Sequence, residues 1–74
     1  MKLYDFLILT EQQQYQAVWD EGTHVDTLAC DGVTCLLYAV NDFFVEVRYI
    51  QEDNTILGKT EFKQGEHLDK YLFR

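Results

Sequence analysis

The chain has 74 residues, room for one domain (1–74), and a domain this small buries only about 60% of the surface its unfolded chain exposes. A hydrophobic fraction of 47%, with 15% aromatic, excludes a disordered tail, and four glycines without a proline exclude a flexible linker. Thirteen acidic residues against six basic ones give a formal charge of −7, which repels phosphate backbones and excludes direct nucleic-acid binding as the expected activity. The acidic residues are scattered along the chain and form no stripe, so solubility explains them more simply than steering toward a basic partner.

Leu3 to Leu9 reads as a first strand, with Tyr4, Phe6 and Ile8 on one side and Leu3, Leu7 and Leu9 on the other. Its apolar run Phe6-Leu7-Ile8-Leu9 is too short for a membrane span or a signal peptide, and Asp5 stands where a signal's apolar core would begin. A cytoplasmic protein without membrane attachment is expected. Thr10-Glu11-Gln12-Gln13 then has the form of a capping box, and Glu11 suits the positive end of a helix dipole. The helix is expected to run to Glu21 and stop at Gly22 in a left-handed C-cap. Tyr15, Val18 and Trp19 form one narrow apolar stripe with Ala17 beside it, while Gln12, Gln13, Gln14 and Gln16 face water. Such a helix covers one face of a sheet.

From Thr23 the hydrophobic period changes to two. Asp31-Gly32 is a strong type I′ hairpin signal, pairing Cys30 with Val33, Ala29 with Thr34 and Leu28 with Cys35. Asn41-Asp42 is a weaker turn, pairing Val40 with Phe43, Tyr38 with Val45 and Leu36 with Val47. A third hairpin turns around Gln51-Glu52-Asp53-Asn54. The register setting Glu46 opposite Lys59, Phe43 opposite Phe62 and Tyr49 opposite Ile56 avoids placing Glu46 against Glu61 and Arg48 against Lys59. Gly58 then faces Val47. Residues 66–73 form a short amphipathic tail in which Leu68, Tyr71 and Leu72 share one side. The expected fold is α+β, a single antiparallel sheet of four to five strands with one main helix on one face and a short C-terminal helical tail.

Combining the hairpins sorts the sheet residues by face. Val25, Thr27, Ala29, Thr34, Leu36, Tyr38, Val40, Phe43, Val45, Val47 and Tyr49 make a core for the helix. The opposite face collects Leu28, Cys30, Val33, Cys35, Leu37, Ala39, Phe44 and Ile50, broken only by Asp26, Glu46 and Arg48, whereas a solvated face is polar. Two helical turns of tail span about 11 Å and cannot cover it. Leu28, Val33, Cys35, Leu37, Phe44, Glu46, Arg48 and Ile50 are therefore expected to form an interface, in a homodimer or on a different protein. Glu46 and Arg48 would pair across the contact.

Catalytic chemistry finds little footing. The chain has no serine, no glycine-rich phosphate loop and no nucleophile-elbow motif. Cys30 and Cys35 sit diagonally across a hairpin at the far limit for a disulfide and are expected to be reduced structural thiols. Two cysteines without a nearby histidine make a poor metal site, and His24 and His67 read as boundary residues. No enzyme activity, cofactor or metal is expected.

The stretch Leu36 to Tyr49, with Asn54-x-Ile56 and the closing Leu68-x-x-Tyr71-Leu72, resembles a group of small bacterial proteins of unknown function. The resemblance implies a one-domain α+β protein and transfers no activity or ligand. The leading functional reading is a small acidic interaction module, a regulator, inhibitor or immunity-type partner. The alternative is a small apolar-ligand-binding domain with a pocket near Trp19, Tyr38 and Tyr49. A thiol-dependent accessory enzyme using Cys30 or Cys35 is the third class.

Overall fold

The computed structural model describes residues 1–63 and Tyr71, with the Cys30 side chain outside that description. The expected helical tail of residues 66–73, Tyr71 apart, and the thiol of Cys30 lie outside the described residues.

Thr10 organises the N-terminal half. Its hydroxyl accepts from the Gln13 N–H at 3.2 Å, and Gln13 Oε1 accepts from the Thr10 N–H at 3.0 Å, so both orphan donors are satisfied. The helix α2 that follows spans Glu11–Glu21, as the capping pattern predicts. Gly22 ends it with φ −79 and ψ 149, extended and not left-handed. The glycine is needed for close approach instead: a Cβ there would stand 2.5 Å from the Val18 carbonyl oxygen and 3.4 Å from Tyr38 Cβ.

Upstream, the expected first strand is a helix, α1, spanning Leu3–Leu7. The Lys2 N–H donates to Asp5 Oδ2 at 3.3 Å, and the Phe6 N–H donates to the Lys2 carbonyl at 3.1 Å. Apolar residues at nearly every position satisfy a period of two and a period of 3.6 alike, so pattern alone does not decide. Tertiary contact decides: the helical backbone sends Phe6 wholly inward, its ring 5.2 Å from that of Phe43, and leaves Tyr4, Leu7 and Ile8 exposed. Without that strand the sheet has four members.

They are β1 (Thr23–Cys30), β2 (Val33–Val40), β3 (Phe43–Ile50) and β4 (Ile56–Phe62), an antiparallel meander in chain order. Asp31 and Gly32 both have positive φ (52 and 80), as the type I′ turn requires, and Asn41 has φ 55. Every pairing expected of these two hairpins is present. A bulge between His24 and Asp26 takes Val25 out of the ladder, so this expected core residue is exposed.

The third hairpin departs from its expected register. Between Phe44 and Arg48 the partners run from Phe62 to Gly58, so Glu46 faces Thr60, Val47 faces Lys59 and Arg48 faces Gly58. Only the outer pair, Tyr49 with Ile56, is as expected, because one extra residue bulges out between them. Gly58 in a strand is itself a signal for a bulge, and the irregularity falls beside it, between the Arg48–Gly58 and Tyr49–Ile56 pairs, giving a third register. Its effect is a change of face, with Phe62 and Thr60 on one side and Lys59 on the other.

Helix α2 packs on the face carrying Val40, Phe43, Val45 and Val47, and contributes Ala17 and Val18. Its buried stripe is rotated from the expected one. Gln14 is buried, its Nε2 donating to the Phe6 carbonyl at 3.0 Å, while Trp19 is 45% exposed. The Gln14 bond ties this flank of α2 to α1, whose Phe6 carbonyl also accepts from the Leu9 N–H at 3.1 Å, and Trp19 is left on the other flank. Thr27 and Ala29, expected beneath the helix, are exposed, because the helix layer sits over β2 and β3 and does not extend across β1.

Candidate functional site

The face opposite α2 holds a buried carboxylate. Glu46 stands between Leu37 and Thr60 in the ladder and is 2% exposed. Arg48, two residues along the same strand, reaches it with Nη1 at 3.2 Å from Oε1, and the same nitrogen donates to Thr60 Oγ1 at 2.8 Å. The Tyr71 hydroxyl donates to Oε2 at 2.7 Å. A buried charge is tolerated only when paired and hydrogen-bonded, and this one is. Burial, and then the bond to Glu46, push the Tyr71 hydroxyl well above the ordinary tyrosine range.

Around that network, Leu37, Phe62 and Tyr71 form a second apolar cluster, with Leu28, Cys35 and Phe44 packed against it. The Phe44 and Phe62 rings stack at 5.8 Å. The bulged register is what brings Phe62 and Thr60 here. Of the eight residues expected at an interface, Leu37 and Glu46 are inside the molecule, and Glu46 and Arg48 pair with each other along one strand. Leu28, Val33, Cys35, Phe44, Arg48 and Ile50 are half-buried and surround that centre.

A second feature lies on the helix side, past the edge of α2. Trp19, Val47, Tyr49, Asn54 and Ile56 line a cleft of about 260 Å³. Trp19 is held by two neighbours, stacked on Tyr15 at 6.4 Å and edge-on to Tyr38 at 5.5 Å. Tyr49 and Ile56 face one another across β3 and β4. Asn54 has φ 59 and donates its N–H to the Ile50 carbonyl at 2.8 Å, closing the loop beside the cleft. The Thr55 N–H donates to Asp53 Oδ1 at 2.9 Å, and hydrogen bonding to Thr55 holds that carboxyl below the usual range.

Of the residues Trp19, Tyr38 and Tyr49 named from the sequence for a pocket, Trp19 and Tyr49 line this cleft, and Tyr38 packs against Trp19. Asn54 and Ile56 were not among its expected members. The signal available for Ile56 was its pairing with Tyr49.

His24 Nε2 lies 2.8 Å from Thr27 Oγ1, and its ring meets Tyr38 at 5.7 Å. His67 lies outside the described residues. Among the described residues no three His, Cys, Asp or Glu side chains are grouped to hold a metal, and no helix is long and apolar enough to cross a membrane. Fold and surfaces together define a small α+β domain, a four-stranded meander with a helical layer over part of one face. Comparison with known protein families, curated proteins and solved structures finds no match.

Proposed function

We propose that the protein is a small acidic, non-enzymatic interaction module that acts by docking on another protein, as a regulator, inhibitor or immunity-type partner does. The observation that supports this is the apolar exposure at the cleft: Trp19 and Ile56, which line it, are 45% and 47% exposed, and Leu57, next along β4, is 53% exposed. Contiguous exposed apolar side chains rimmed by polar ones mark sites of association. The most deeply buried charged group, Glu46, by contrast serves the fold, with its oxygens engaged by Arg48 and Tyr71.

The simplest such partner is a second copy, joined through Leu28, Val33, Phe44 and Ile50 at the rim of the opposite face, because a two-fold axis lets one patch satisfy itself. Sedimentation velocity from micromolar to millimolar concentration tests this form. Dimerisation is expected, with Phe44→Lys a folded monomer. A photoreactive side chain at position 44 or 56, activated in the host cell, tests the wider reading. A monomer at every concentration that also forms no crosslinked protein adduct from either position overturns it. The apolar-ligand reading draws on the cleft itself, and a saturable rise in Tm with a small aromatic compound is its test.

A further inference from the structure

We propose that the cleft beside Trp19 receives a basic amphipathic segment of a partner protein, an aromatic or branched aliphatic side chain filling the cleft while Lys or Arg neighbours reach Glu52 and Asp53. This deepens the interaction-module reading and rests on it.

Size decides first between a side chain and a free ligand. Pockets for drug-sized molecules run from about 300 to 1,000 Å³ and enclose most of the ligand. At about 260 Å³ and flanked by exposed Trp19 and Ile56, this cleft suits one anchoring side chain whose parent chain stays outside. Aromatic walls around a single apolar anchor are the usual composition of an interface hot spot.

Charge decides the character of the segment. Among the described residues the one that lines the cleft without an apolar or aromatic body is Asn54; Asp53, just before it, is exposed, as is Glu52, which lines a second cleft with Val33 and Ile50. Asp53 accepts from the Thr55 N–H, and hydrogen bonds from the Thr55 side chain and then its backbone hold the carboxyl below its usual range. Among the described residues no cation lines the cleft. Lys59, on the same sheet face, has its ammonium over the rings of Phe6 (5.6 Å) and Tyr15 (5.4 Å), under the helix layer. A second copy, itself carrying −7, meets repulsion at this acidic end, whereas a basic segment gains both steering and affinity.

Trp19 is the chain's single tryptophan and lines the cleft, so its fluorescence reports occupancy. The probe is a short amidated peptide of Leu and Lys at helical spacing, free of tryptophan; its counterpart carries Glu in place of Lys. The Lys peptide is expected to shift Trp19 emission saturably and bind at least about tenfold more tightly than the Glu peptide, with affinity falling as salt rises. Ile56→Asp should weaken binding about tenfold, as loss of a hot-spot contact does, with far-UV circular dichroism unchanged. Should that variant fail to fold, Glu52→Gln with Asp53→Asn reads the same contact from the exposed loop, and should flatten the salt dependence. Equal binding of the two peptides overturns the proposal, as does Lys-peptide binding that ignores both variants, which marks attraction to the whole acidic surface. An emission shift with indole but none with the Lys peptide overturns it in favour of a small-ligand cleft. The wider module reading is judged separately, by the crosslinking yield at positions 44 and 56.

Discussion

Glu46 occupies a position where an aliphatic side chain would be ordinary, and its partners explain why a carboxylate is kept. Removing one member of a buried ion pair leaves the other uncompensated, so Arg48→Met should cost about 3 kcal/mol, the low end for such pairs because the Arg48 side chain is itself 33% exposed. Tyr71→Phe should cost about 1–2 kcal/mol, since it removes one donor. The double change Glu46→Leu with Arg48→Met should cost less than Arg48→Met alone, because nothing charged stays buried. Urea unfolding of the three variants checks the order. Tyr71 also gives a pH signature. Its pKa is raised in the folded chain, so its contribution to stability is whole below about pH 10 and is lost as pH climbs through the folded value. In an alkaline absorbance titration Tyr71 should ionise only as the protein unfolds. Burial raises Tyr15 and Tyr38 as well, so these should ionise late. Tyr71 titrating near pH 10 in the folded state would contradict the hydrogen bond to Glu46. In the sequence Glu46 is legible as a break in an apolar face and as a charge to be paired, with Lys59 across the strands or with Arg48 across a contact, and not as a buried group. Its hydrogen-bond partner Tyr71 and its cross-strand neighbour Thr60, which accepts from Arg48, are distant along the chain, and identifying them requires a register that composition does not supply.

At the scale of elements, the parts with local signals were legible and the parts set by tertiary contact were not. The Thr10 box and the Asp31-Gly32 turn carry their own hydrogen-bonding and backbone chemistry, so α2 and the first hairpin read correctly from a few residues. Thr10→Ala should accordingly cost about 1 kcal/mol. Residues 3–7 carry no such signal, and their helix depends on Phe6 reaching the core. The β4 register depends on one bulged residue beside Gly58, and a strand glycine signals such a bulge without fixing the register shift it causes. Gly22 was placed correctly for the wrong reason. Its backbone is one any residue adopts, so Gly22→Ala should destabilise by overpacking, about 1–3 kcal/mol, because the Val18 carbonyl and Tyr38 must give way. A left-handed cap would give a smaller loss, and thermal melting separates the two. The candidate sites follow the same division. Trp19 and Tyr49 were legible as aromatics near one another, whereas the filling of the opposite face by Phe62 followed from the shifted register.

For the whole molecule, one core carries most of the stability. Val45 lies between the helices and the sheet with no exposure, so Val45→Asp should abolish the cooperative transition, since an unpaired buried carboxylate costs several kcal/mol against a total of about 5. The helical layer leaves β1 uncovered on its side, where Val25 is exposed, and it also leaves Trp19 and Ile56 open at the cleft, while part of the opposite face is filled from within. The meander order has a further consequence, in time. Each strand pairs with its chain neighbour, so the sheet assembles through short loop closures, whereas the docking of α1 and α2 and the Tyr71–Glu46 bond join distant parts of the chain. The sheet's central hairpin is therefore placed to form before the elements that lock it. Mutations in β2 and β3 should slow refolding, while Tyr71→Phe should mainly accelerate unfolding, as the two arms of a denaturant chevron would register. The carboxylate that gives the second face its specificity would then act as a latch, closed last and released first.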